Sequence, residues 1–131
     1  MASVNGLQSI KSYRLTGTVT RGRVVKADGV SGGIAAAAQA TGAGEYLLGV
    51  ALTSGVAGDI IDVQLLGNCP FSVAAAVIDP GKFVTADANG KLVAAASGDR
   101  IVGIILSGAT DTGATADGVV CELNLQHSIF P

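Results

Sequence analysis

Gly22-Arg23-Val24-Val25-Lys26-Ala27-Asp28 returns later in the chain as Gly81-Lys82-Phe83-Val84-Thr85-Ala86-Asp87. Each copy opens on glycine, follows with a cation, runs through strand-forming residues and closes on Ala-Asp. Two further stretches recur in the same order. Leu48-Gly49-Val50-Ala51-Leu52 is matched by Val102-Gly103-Ile104-Ile105-Leu106, and Ile60-Ile61-Asp62-Val63-Gln64-Leu65 by Val120-Cys121-Glu122-Leu123-Asn124-Leu125. Such a repeat reads as two half-sheets closed on one shared core. The expected fold is all-β, a small barrel or sandwich of about ten short strands built from two similar halves, with an extended N-terminal arm. This architecture favours a scaffold over a catalytic cleft.

The totals agree with that reading. The 131 residues suit a single β domain, residues 1–131, and 49% are hydrophobic against 14% charged. The excess of Ala, Val and Ile leaves apolar surface beyond what one small core consumes, which points to an oligomer or partner interface. A net charge of −2 argues against nucleic acid, whose binding needs clustered Lys and Arg. Lys11, Arg14, Arg21, Arg23 and Lys26 are neighbours in sequence, but on strands they need not share a face. The first residues lack a basic n-region and an apolar run, so no signal peptide is expected, and no stretch is long enough for a spanning helix. Cys69 and Cys121 have no C-x-x-C spacing and read as two reduced thiols, with a disulfide between them left open.

Working outward, residues 1–14 read as the arm, 15–78 as the first half, 79–126 as the second and 127–131 as a C-terminal tail. Alternation predicts a first strand over 13–20 and others over 23–27, 45–53, 60–66, 71–78, 83–88, 91–95, 100–106 and 119–125. Residues 34–40 are alanine-rich, but glycines at both ends leave under two helical turns, so they read as strand with loop. Asp79-Pro80-Gly81 is a turn and the expected seam between halves. Asn89-Gly90 is a two-residue hairpin signal.

The search for chemistry returns little. His127 is the one histidine and lies in the tail, and Cys69 has no basic neighbour to lower its pKa. Asp59, Asp62, Asp79, Asp87, Asp99, Asp111, Asp117 and Glu122 sit mostly beside glycine or in turns, where Asx capping accounts for them. Asp62 and Glu122 occupy matching repeat positions, and solvent-facing strand sites explain them as well as a carboxylate pair does. The glycine-rich stretches 31–33 and 41–44 show neither a P-loop nor a dinucleotide fingerprint. No catalytic, cofactor-binding or metal-binding residue is assigned, and the chain is not read as an enzyme.

One resemblance stands on four of these stretches. They are 48–52 with Ala57-Gly58-Asp59 and the strand 60–65; Phe71-Ser72-Val73 with Asp79-Pro80-Gly81-Lys82-Phe83-Val84; the hairpin Asp87–Val93; and 100–106 with the closing strand 119–125. In this order, over about residues 15–125, the sequence resembles the phage capsid cement, or head-decoration, proteins of the small β-tulip type. The resemblance implies a structural virion protein on the outer surface of an expanded icosahedral phage head, made in the host cytoplasm. It would form a homotrimer and bridge major capsid protein subunits, with no cofactor, nucleic acid, membrane or small-molecule substrate. The alternatives are a head-fibre base or tail subunit, or a small ligand-binding β-barrel. Fibrous repeats or a receptor-binding extension would favour the first, and none is seen. Val4, Leu7, Ile10 and Tyr13 of the arm, with Ile129 and Phe130 of the tail, are the expected contacts to the capsid or between protomers.

Overall fold

The computed structural model describes residues 9–75, 78–107 and 116–123. Among them are nine strands: β1 (Ser9–Leu15), β2 (Val24–Ser31), β3 (Ile34–Gln39), β4 (Leu47–Ala51), β5 (Ile60–Ala74), β6 (Phe83–Ala86), β7 (Leu92–Ala94), β8 (Gly103–Ser107) and β9 (Ala116–Leu123). The all-β expectation holds, and the alanine-rich segment is strand β3.

The pairings close two rings. The first runs β1–β3–β2–β4–β5 and returns to β1; the second runs β5–β7–β6–β8–β9 and returns to β5. Closure gives every strand a partner on both sides and removes the exposed edges that small sheets otherwise present. The rings share one long strand. The N-terminal part of β5 pairs with β1 and β4, and its C-terminal part, from Gly67 on, pairs with β9 and β7.

The repeat read from sequence is a repeat of topology. Strand β2 corresponds to β6, β3 to β7, β4 to β8 and the first part of β5 to β9, while β1 corresponds to the second part of β5. Each ring is closed by one parallel pairing, Leu15↔Ala37 in the first and Ala74↔Leu92 in the second. Val24↔Val50 and Val25↔Gly49 recur as Phe83↔Ile104 and Val84↔Gly103. The Gly22 N–H donates to Ala51 O (2.9 Å) and the Ala51 N–H to Arg23 O (3.0 Å). Gly81 N–H to Ile105 O (2.7 Å) and Ile105 N–H to Lys82 O (3.0 Å) repeat the pattern. Gly22 and Gly81 both enter it at positive φ, 87° and 89°, which a side chain would strain.

Several boundaries differ from expectation. The turn at 79–81 lies inside the second ring, and the hand-over between repeats falls within β5. The strands expected over 60–66 and 71–78 are joined in β5, where Gly67 (φ 96°) turns the backbone locally and pairing resumes with new partners on its far side. Strand β1 starts at Ser9, so the C-terminal part of the expected arm is a paired strand, and Val19 makes only an isolated bridge to Gly55. Strand β9 starts at Ala116, ahead of the expected Val119. The Asn89-Gly90 hairpin has a three-residue loop: Asp87 N–H donates to Lys91 O (2.9 Å), and Gly90 takes the left-handed position (φ 75°).

The matching of β5 with β9 also shifts by two residues. Val50 faces Gln64 in the first ring and Ile104 faces Glu122 in the second, so Glu122 corresponds to Gln64, not Asp62. A two-residue slip keeps every side chain on its face, so alternation alone does not detect it.

Two apolar clusters fill the molecule. Tyr13, Leu15, Val19, Val25, Ala37, Ala51, Ile61 and Val63 form the interior of ring one. The second cluster joins ring-two residues such as Ala74, Val84, Leu92 and Ile105 with Val24, Ala40, Leu47 and Val50 from ring one. Successive strand residues point to opposite faces, so Val25 and Ala51 fill ring one while Val24 and Val50 point out of it, into ring two.

Candidate interaction surface

The chemically suggestive residues are held apart or serve the fold. Asp62 accepts from Ser12 Oγ (2.8 Å) on the outer face of β1 and β5. Glu122 pairs in register with Asn68, about 20 Å along β5 from Asp62 by strand rise, so the backbone register does not place the two residues side by side. Asp59 accepts from Val56 N–H (2.9 Å), Asp99 from Ala96 N–H (2.8 Å), and Asp87 from Asn89 and Lys91 N–H (2.8 and 2.9 Å). These are the turn caps that the sequence implies. Cys69 is buried and faces Cys121 across β5 and β9, a pairing that spacing alone did not give. Among the described residues no group of three or more His, Cys, Asp or Glu could hold a metal ion. His127 lies outside the described residues.

The cations are dispersed. Lys26 is paired with Glu45 (2.7 Å), Arg21 donates to Leu52 O (3.2 Å) and Arg23 to Asn89 O (3.1 Å). Lys11 lies over the Tyr13 ring, 5.6 Å from its centroid. Glu45 is a strongly held carboxylate. Burial acts to raise its pKa, but hydrogen bonds from Lys26 Nζ, Thr41 Oγ1 and Thr41 N–H overcome this and bring it to about 2.

Several large apolar side chains also stand on the surface. Of the expected interface residues, Ile10 is half-exposed on the outer face of β1, while Tyr13 is turned inward at 7% exposure and belongs to the core of ring one. Alternation along β1 separates the two: residues of one parity face the ring interior. Val4, Leu7, Ile129 and Phe130 lie outside the described residues. The structure adds exposed residues that sequence reasoning did not single out: Val30, Tyr46, Val56, Ile60, Phe83 and Leu106. Phe83 and Leu106 share the outer face of β6 and β8 with Ile104, which is register partner to Phe83. A signal for them existed in the repeat, since they match Val24, Val50 and Leu52, but a repeat does not say which copy is covered.

The joint between rings is polar as well as apolar. Gly90 O accepts from Val24 N–H (2.8 Å), and Asn89 O accepts from Arg23 Nη1 and Gln39 Nε2 (3.1 Å each). Val73 N–H donates to Gly22 O and Arg100 N–H to Ala43 O, both 3.0 Å. The loop of the β6–β7 hairpin thus seats ring two on the β2 side of ring one.

The sequence matches no protein-family model and no curated protein. Among solved structures, the N base of head fiber gp8.5 in bacteriophage phi29 is similar in fold, with a TM-score of 0.67. The likeness covers 93% of this chain and 98% of that one at 17% sequence identity.

Proposed function

We propose that this chain is a structural protein of a phage virion, carried on the outer surface of the head, where it binds major capsid protein subunits and bridges them. The observation that carries the reading is the end-to-end fold likeness to a head-fibre base, in a molecule whose turn carboxylates Asp59, Asp87 and Asp99 cap backbone N–H groups. A head-decoration role adds the resemblance of the sequence to cement proteins. That role would have the chain act as a homotrimer, in which several weak contacts bind together through effective concentration. Ile10 on β1, with Val4, Leu7, Ile129 and Phe130 beyond the described residues, are the contacts proposed for capsid or neighbouring protomer. No reaction is assigned.

The fold likeness equally favours a second reading, in which the chain is the base of a head fibre. The two readings differ in what they do to the shell. Purified protein is mixed with compact precursor heads and with expanded heads, sedimented, and the loaded heads are heated. A decoration protein binds expanded heads to saturation and raises the temperature at which they release DNA. A fibre base binds expanded heads and leaves that temperature unchanged. Sedimentation with neither form removes the head-surface reading.

A further inference from the structure

The strand that closes ring two does so at a pair of cysteines. In β9, residue 121 has a register partner on each side, Cys69 on β5 and Ile105 on β8. Cys69 and Ile105 are both 0% exposed and belong to the apolar cluster that fills ring two. The repeat gives the equivalent site in ring one. There Val63 of β5 stands between Lys11 of β1 and Ala51 of β4, and Val63 is buried in the core of that ring. Ring one therefore closes with a lysine opposite a valine, and ring two with a cysteine opposite a cysteine.

Directly opposed residues of an antiparallel pair have Cα atoms about 4.5–5.5 Å apart. A disulfide needs a Cα separation of about 4.4–6.8 Å, so the backbone register already meets its reach. The chain has two cysteines, so a bond within it has one pairing. That bond falls between the strand both rings share and the strand that completes ring two. Strands β6, β7 and β8 all lie between residues 69 and 121, so the link encloses ring two in one covalent loop. Thiol exchange needs access to a thiolate, and Cys69 is buried. Exchange therefore proceeds as β9 comes in to pair with β5 during folding, or when β9 opens locally.

We propose that Cys69 and Cys121 form a disulfide that makes the closure of ring two covalent and responds to the redox state of the surroundings. The oxidant is a small-molecule disulfide of the glutathione class. One cysteine thiolate attacks it, forming a mixed disulfide and releasing one glutathione thiolate. The second cysteine thiolate attacks the mixed disulfide at the protein's own sulfur and releases the other. One S–S bond breaks and one forms, and the two electrons and two thiol protons leave as two molecules of reduced glutathione. In the chain-entropy account the gain lies in the unfolded chain, which loses freedom once residues 69 and 121 are joined. The link falls on the ring that completes its core with Val24, Ala40, Leu47 and Val50 of its neighbour. The inference goes beyond the virion reading and is independent of it. A chain that closes the bond and binds no heads would sink that reading alone, and a head-binding chain that stays reduced would sink this one alone.

The test equilibrates the full chain with reduced and oxidised glutathione at set ratios, folded in buffer and unfolded in urea. Peptide mapping without reductant is expected to find the peptides holding residues 69 and 121 joined. The equilibrium constant for closing the bond should be at least about thirtyfold larger in the folded chain than in the unfolded one. By the same linkage the oxidised chain should melt at least about 5 °C above the reduced chain. Cys121→Ala should lose that difference between oxidising and reducing buffer. The wild-type comparison needs no variant, so it decides the matter even where Cys121→Ala does not fold. A folded chain that keeps both thiols at ratios that oxidise the unfolded chain overturns the proposal. So do equal equilibrium constants in the two states, a glutathione mixed disulfide as the end product, or a bond between two chains in place of the internal one.

Discussion

Ring one and ring two have the same strand order, the same register at β2/β4 and β6/β8 and the same positive-φ glycine before the first of those strands, yet they are finished differently. Ring one is filled by its own side chains and has its outer β2/β4 face covered. Ring two borrows Val24, Ala40, Leu47 and Val50 from ring one to complete its core, while its own corresponding residues Phe83 and Leu106 are each 42% exposed. Duplicating a strand pattern therefore duplicates the backbone but not the environment. The first copy becomes a platform, and the second becomes the cap seated on it.

The largest effect is expected where the two rings agree most closely. Gly49 and Gly103 occupy the same register site, opposite Val25 and Val84. A Cβ on Gly49 would stand 1.9 Å from Gln64 O and 2.9 Å from its carbonyl carbon, backbone atoms that no rotamer change can move away. Gly49→Ala should cost at least about 4 kcal/mol, among the most severe single substitutions. Gly42→Ala, where nothing lies within 4 Å and φ is ordinary, should stay within about 0.5 kcal/mol. Urea midpoints for both variants check the pair. A mild Gly49→Ala would mean that β4 and β5 do not approach this closely.

The next effect should separate the rings. Val24→Ala removes two buried methyl groups from the joint and should destabilise by about 2 kcal/mol. Phe83→Ala, at the equivalent strand position but 42% exposed, removes a larger side chain and should cost the isolated monomer less than about 1 kcal/mol. The comparison is made by chemical denaturation at a concentration low enough to keep the chain monomeric. If the larger loss came from Phe83, exposure would not be what separates the two positions.

Much of the fold was legible because the repeat and the period-two alternation are local. Gly22/Gly81, Val25/Val84 and Ala51/Ile105 align by eye and land on equivalent hydrogen bonds. The seam was not legible, because Gly67 and Asn68 look like a strand break while the backbone pairs on either side of them with different rings. The Asp62–Glu122 match failed for a related reason: a slip of two positions preserves every inward and outward assignment. Tyr13 was misplaced as a surface anchor because an aromatic near a terminus carries no signal of parity until the pairing of β1 is known. Phe83 and Leu106 were invisible as surface, since their sequence context matches that of buried Val24 and Leu52.

The smallest effect concerns the connections that lead into β4 and β8. In ring two the connection is capped by Asp99, which accepts from Ala96 N–H. In ring one Glu45 gathers Thr41 N–H (2.6 Å), Thr41 Oγ1 (2.7 Å), Gly42 N–H (3.1 Å) and Lys26 Nζ (2.7 Å). Burial opposes the charged form of Glu45, and these donors more than offset it, leaving its pKa at about 2 against 4.5 for an unperturbed carboxyl. A depressed folded pKa gives stability that is complete above about pH 4.5 and is lost as pH falls toward 2, because the unfolded chain takes up the proton first. With 26% of the Glu45 side chain exposed, solvent screening reduces the contribution to about 1 kcal/mol. Glu45→Gln should therefore unfold at lower urea than wild type near neutral pH, and the two curves should converge as pH falls toward 2. Parallel curves across that window would mean that Glu45 holds the loop by shape alone, and that the two connections differ in sequence but not in electrostatics.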